Sequence, residues 1–111
     1  MQGDLIAEIT KKRLLLVLRE TARGGWSHGW YEGETADEYT KKAARELLHL
    51  GLLERDEGYR QGAMHPFRLT ERGDAFFQDV IRNIGIERVG GVIDINWGKT
   101  NRIEFPLSNR G

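Results

Sequence analysis

At 111 residues and 39% hydrophobic content, the chain is sized for one modest core, and a second independent domain is not expected. Seventeen Lys and Arg balance seventeen Asp and Glu, so a polyanionic partner would have to be recognised by local rather than overall charge. The absence of cysteine excludes disulfides, thiolate nucleophiles and Cys-type zinc sites; the longest apolar run, Leu14 to Leu18, is far short of the roughly 20 residues of a membrane helix, and a cytoplasmic protein is expected.

From Asp4 to about Arg23 the chain carries Leu5, Ile6, Ile9 and Leu14 to Leu18 with no Gly or Pro, which predicts a helix. Asp4 and Thr10 are both available as its N-cap. Because Leu14 to Leu18 is apolar all the way round a helix, that turn should be enclosed on several sides. Residues 24–33, with four glycines beside Trp26, Trp30 and Tyr31, stop this helix and favour a loop, whose aromatics either pack in the core or face a partner or ligand.

Thr35-Ala-Asp-Glu38 has the spacing of a capping box, so a second helix is predicted over about 35–50, with Gly51 as its C-terminal cap. At roughly 100° per residue, Tyr39, Ala43, Ala44, Leu47, Leu48 and Leu50 share one side. Lys41, Lys42, Arg45 and His49 gather on the other as a basic stripe, which Glu38 and Glu46 border and dilute; an ordinary solvated face has the same composition.

Leu52 to Asp56 and Pro66 to Thr70 read as short strands, with Leu53, Phe67 and Leu69 on one face. The connection between them would carry Tyr59, Arg60, Gln61 and His65 at its tip. Thr70-Glu-Arg-Gly-Asp leads into Ala75, Phe76, Phe77, Val80 and Ile81, a third helix ending near Gly85. Val92 to Trp97 and Arg102 to Leu107 flank Gly98-Lys-Thr-Asn101, and their alternation predicts a terminal hairpin with Ile93, Ile95 and Trp97 on one face and Ile103, Phe105 and Leu107 on one face. An isolated hairpin is marginal in water, so this one must cover the domain or meet another chain.

Two segments, Leu47 to Arg55 and Leu69-Thr-Glu-Arg-Gly73, placed as they are between helix, hairpin and helix, resemble the winged helix-turn-helix regulators of the MarR and PadR type over about residues 4–82. The resemblance implies an α+β fold with a winged helix-turn-helix domain over 1–85; the alternation beyond it adds a C-terminal β-hairpin extension over 86–111, packed on the domain or on a partner chain, and no enzymatic activity is expected. It implies a transcriptional regulator that binds double-stranded DNA sequence-selectively, as a homodimer. By position, the helix over about 35–50 would lie in the major groove and the hairpin over about 52–70 would be the wing. Thr40, Lys41, Lys42 and Arg45 then become groove contacts, and Arg60 and Gln61 wing contacts. The chemistry agrees, since Arg can pair with guanine O6 and N7 while Lys neutralises phosphates. Two features depart from the family: the glycine-rich stretch 24–33 stands where a short scaffold helix belongs, and the chain is neutral.

Other constellations do not assemble. His28, His49 and His65 lack the spacing of a zinc motif, Ser27-His28 has no nucleophile-elbow context, and Glu32 and Glu34 read as loop charges. Gly98-Lys99-Thr100 mimics the end of a phosphate-binding loop, but Ile93 stands where that motif needs its first glycine, so it reads as a turn. No cofactor or metal is expected. Two other uses stay open: a protein-interaction winged helix in a larger replication or mobile-element assembly, docking through Trp26, Trp30 or the C-terminal hairpin, and a ligand sensor built on the aromatic loop.

Overall fold

In the computed structural model, residues 2–24, 31, 37–58, 66–90 and 92–106 are described, with the side chains of the first helix from Lys11 on. Helix α1 (Gln2–Arg23) starts before both expected caps, so Asp4 and Thr10 lie within it. Leu14, Leu15, Val17 and Leu18 are buried and Leu16 is half-buried, so this turn is enclosed nearly all round, as its uninterrupted apolar run requires. Against it pack α2 (Glu38–His49), the hairpin of β1 (Leu53–Arg55) and β2 (Phe67–Leu69), α3 (Glu71–Ile84), and a 3-10 helix over Trp97–Arg102. The result is a small α+β domain built around one central helix.

The β1–β2 pair is antiparallel, with Leu53 opposite Leu69 and Arg55 opposite Phe67. That register turns Leu53, Phe67 and Leu69 to the core side, where Phe67 stacks on Tyr31 at 5.8 Å between ring centroids. Tyr31 is buried, its hydroxyl 2.6 Å from Thr21 Oγ1 and donating to the Val17 carbonyl at 3.2 Å, so one member of the aromatic loop is a core residue. Trp26 and Trp30 lie outside the described residues.

The join between α3 and the end of α2 explains the Leu69-Thr-Glu-Arg-Gly73 sequence. Thr70 caps α3: its Oγ1 accepts from the Gly73 amide at 2.9 Å and donates to the Gly51 carbonyl at 2.6 Å, while its own amide donates to the Leu52 carbonyl at 3.1 Å. Gly73 is needed for packing rather than for a special dihedral, since a Cβ there would fall 2.0 Å from the Leu52 carbonyl oxygen.

The C-terminal region departs from the sequence expectation. The hairpin is formed by β3 (Ile86–Val89) and β4 (Val92–Ile95), with Gly90 in the left-handed region at φ 55°, not by strands on either side of Gly98 to Asn101. Trp97 to Arg102 instead coil into the 3-10 helix, held by Lys99 N–H to Asn96 and Ile103 N–H to Thr100 carbonyl bonds, and residues 103–106 form no strand. The apolar residues still point inward: Ile95 and Ile103 are buried, Trp97 packs against the core, and Phe105 meets Phe76 at 5.0 Å. The extension is therefore fixed to the domain within one chain. Arg19 of α1 reaches Asp94 of β4, binds Glu20 as well, and lies over the Trp97 ring at 5.4 Å.

Candidate nucleic-acid interface

Helix α2 begins two residues later than the capping box predicts. Asp37 is the N-cap, its Oδ1 accepting the Thr40 amide at 2.6 Å, and Thr35 lies outside the described residues. A carboxylate one residue before the first turn satisfies an orphan amide directly and suits the positive end of the helix. The Thr40 amide and hydroxyl, with the Arg13 guanidinium 3.8 Å away, hold the Asp37 carboxyl below the usual carboxylate range.

The other end of α2 closes as expected around Gly51, in the left-handed region at φ 77°. The Leu52 amide donates to the Leu47 carbonyl at 2.9 Å and the Gly51 amide to Leu48 at 3.1 Å, the two bonds of a Schellman cap. The cap feeds the chain straight into β1, so helix and hairpin are coupled by three residues, Leu50, Gly51 and Leu52.

One face of α2, formed by Thr40, Ala43, Ala44 and Leu47, is buried, and the two alanines admit close approach of α1. Thr40 thus cannot be a groove contact. At 5% exposure it faces α1, where its hydroxyl accepts from Arg13 at 3.5 Å; a residue three before Ala43 and four before Ala44 necessarily shares their face. Tyr39 corrects the expectation in the opposite sense: expected on the apolar side, it is 67% exposed.

Of the predicted stripe, Lys42 and Arg45 face outward. Lys42 and Arg45 are exposed and make no ion pair or side-chain hydrogen bond among the described residues. Lys41 is half-buried and lies 3.5 Å from Glu38, one turn away, while His49 is half-buried at the last turn. The exposed surface of α2 therefore presents Lys42 and Arg45 flanked by Glu38, Tyr39 and Glu46.

The outer face of the β1–β2 hairpin is charged but internally paired: Arg68 donates to Glu54 at 2.8 Å and to Asp56 at 3.5 Å. Cross-strand register places Glu54 directly opposite Arg68. Arg60 and Gln61, the expected tip contacts, lie outside the described residues. Arg55 extends over the Phe67 ring at 4.9 Å. Among the described helices, none is long and apolar enough to cross a membrane.

Sequence reasoning missed two charged residues that shape this region. Arg13 braces the start of α2 from the neighbouring helix, and Arg68 neutralises the base of the hairpin. The second was readable, since an Arg opposite a Glu in a hairpin with this register is a cross-strand pair; the first depends on a helix crossing that no local pattern encodes. No protein-family model matches this chain, and no curated protein or solved structure matches it.

Proposed function

We propose that this chain is a winged helix that binds double-stranded DNA as a homodimeric, sequence-selective regulator, with α2 in the major groove, the β1–β2 hairpin as the wing, and no enzymatic role. One observation carries the reading: Lys42 and Arg45 project from a helix fixed at both ends, and neither is tied up by a carboxylate among the described residues. A rigid helix with uncommitted cations on its outer face can lay Arg against a base edge and Lys against phosphate without first breaking protein contacts. Two copies would bring two such helices to one duplex, and binding depends on the phosphates neutralised locally, which suits a protein of zero net charge.

The test is binding to random-sequence duplex DNA across a salt series, with the oligomeric state measured by sedimentation in parallel. The expected result is a dimer whose affinity falls steeply with salt. The Lys42→Ala/Arg45→Ala protein should bind more weakly, with a log–log slope shallower by about 0.9 for each phosphate it no longer neutralises. Its thermal stability should stay within about 0.5 kcal/mol of the wild type, because both side chains are solvent-facing. Absence of binding at low salt, or unchanged binding by this variant, overturns the assignment of α2.

The exposed Ile86, at 56%, favours a second reading in which the β3–β4 hairpin docks a protein partner. Duplex binding with α2-dependent salt sensitivity decides for DNA; its absence, together with loss of a captured partner in Ile86→Lys, decides for the hairpin.

A further inference from the structure

The Gly98-Lys99-Thr100 segment has no place in the interface above. Within the 3-10 helix, Thr100 is buried, 3% exposed, and its hydroxyl makes no hydrogen bond among the described residues. Buried hydroxyls are nearly always partnered, and among the described residues this one is left available to a bound group. Thr100 lines a cleft of about 150 Å³ between α1 and the 3-10 helix, together with Lys11, Lys12, Gly98 and Asn101. Among the described residues no carboxylate lines the cleft and neither lysine is ion-paired.

We propose that this cleft binds a phosphate group. Two ammonium groups, an amide and a hydroxyl form a set rich in donors, with positive charge that no described residue of the lining neutralises. A multiply charged oxyanion can accept from all of them at once, and lysine serves phosphate as a point charge. The Thr100 hydroxyl, unpartnered among the described residues, donates to a phosphate oxygen. The phosphate comes either from a nucleic-acid backbone or from a free phosphate compound; only the first source rests on the DNA-binding reading above.

An amide-resolved NMR titration of the intact chain with inorganic phosphate, against sodium chloride at matched ionic strength, tests the cleft. Saturable shifts confined to the amides of Lys11, Lys12 and Gly98 to Asn101 are expected. Thr100→Val, which removes a hydroxyl that has no protein partner among the described residues, should bind phosphate about fivefold to tenfold more weakly. Lys11→Gln/Lys12→Gln should abolish the saturable shifts. Diffuse shifts, shifts reproduced by chloride, or local shifts unchanged in both variants overturn the proposal and leave a cleft that holds water alone. In the duplex assay, weaker binding and a shallower salt slope for the double lysine variant assign the phosphate to the DNA backbone. Unchanged duplex affinity alongside abolished phosphate shifts assigns it to a free compound. Failure of the Lys42 and Arg45 test leaves the inorganic-phosphate result intact, so the two readings fail separately.

Discussion

Gly73→Ala probes the tightest packing in the domain. The added Cβ would lie 2.0 Å from the Leu52 carbonyl oxygen and 2.8 Å from its carbon, both backbone atoms that cannot rotate aside. Bringing the closer contact to 3.0 Å requires α3 to withdraw by about 1 Å. That movement strains the bonds from the Thr70 amide to Leu52 and from the Thr70 hydroxyl to Gly51, each contributing about 1 kcal/mol. Overpacking adds about 1–3 kcal/mol, and the better helix propensity of alanine returns about 1. The net loss is about 3 kcal/mol, which at the usual unfolding entropy per residue lowers Tm by about 10–15 °C. Far-UV circular dichroism melts measure it, with Ala75→Gly as a control that alters the same helix at an exposed position and costs only about 1 kcal/mol. A Gly73→Ala melt within about 3 °C of the wild type would refute the packing argument.

Burial, with the Glu20 carboxylate nearby adding to it, pushes the Tyr31 hydroxyl up to about 12, above its ordinary value near 10. The folded state therefore favours the neutral phenol: its stabilising effect is complete below about pH 10 and is lost as pH rises towards about 12, a loss of about 2–3 kcal/mol. Urea unfolding across that window should show a smaller alkaline loss for Tyr31→Phe, and equal losses in the two proteins would be the contrary result. Burial opposes ionisation of Asp94, yet hydrogen bonds from Arg19 and the Ile95 amide outweigh it and hold the carboxyl below its usual range. Asp94 thus stabilises the fold above the ordinary carboxylate range and ceases to do so as pH falls through its lowered value, so acidification should speed hydrogen exchange at the β3–β4 amides. Arg19→Ala, which takes the arginine from partly buried Asp94 while Glu20 keeps Arg23 3.7 Å away, should cost about 1–3 kcal/mol in urea unfolding, whereas Arg82→Ala, breaking an exposed pair with Asp79, should barely move the midpoint.

Elements whose signals were local were legible in the sequence. The Thr70 cap and Gly85 stop bound α3, Gly51 ends α2, and the alternation of Leu53, Phe67 and Leu69 sets the core side of the first hairpin. The C-terminal hairpin was misplaced because two turn signals competed. Ile93, Ile95 and Trp97 alternate up to Gly98, and that pattern overshadowed Val89-Gly90-Gly91-Val92, a stronger two-residue hairpin signal between β-branched residues. The described members of both apolar sets found the core, so periodicity recorded burial correctly while leaving the backbone conformation open. At the start of α2 the capping-box spacing pointed to Thr35, whereas Asp37 is the N-cap, its carboxylate also 3.8 Å from Arg13. Thr40 became a groove contact only by position in the family resemblance, whereas its spacing from Ala43 and Ala44 places it inside.

Zero net charge conceals an uneven division of the cations. Arg13, Arg19, Lys41, Arg68 and Arg82 each lie beside a carboxylate, and those pairs brace helix ends, the extension and the hairpin. Lys42 and Arg45 on α2, and Lys11 and Lys12 at the cleft, are not paired among the described residues. An anion approaching a paired arginine must compete with a carboxylate already in place, so the paired cations add little to binding while the uncommitted ones retain their charge for a partner. In the DNA-binding reading, the salt slope should accordingly follow uncommitted cations that face the duplex, Lys42 and Arg45 first, and not the total of seventeen Lys and Arg. If Arg68→Ala or Arg82→Ala flattened that slope as much as Lys42→Ala, the distinction between paired and uncommitted cations would fail.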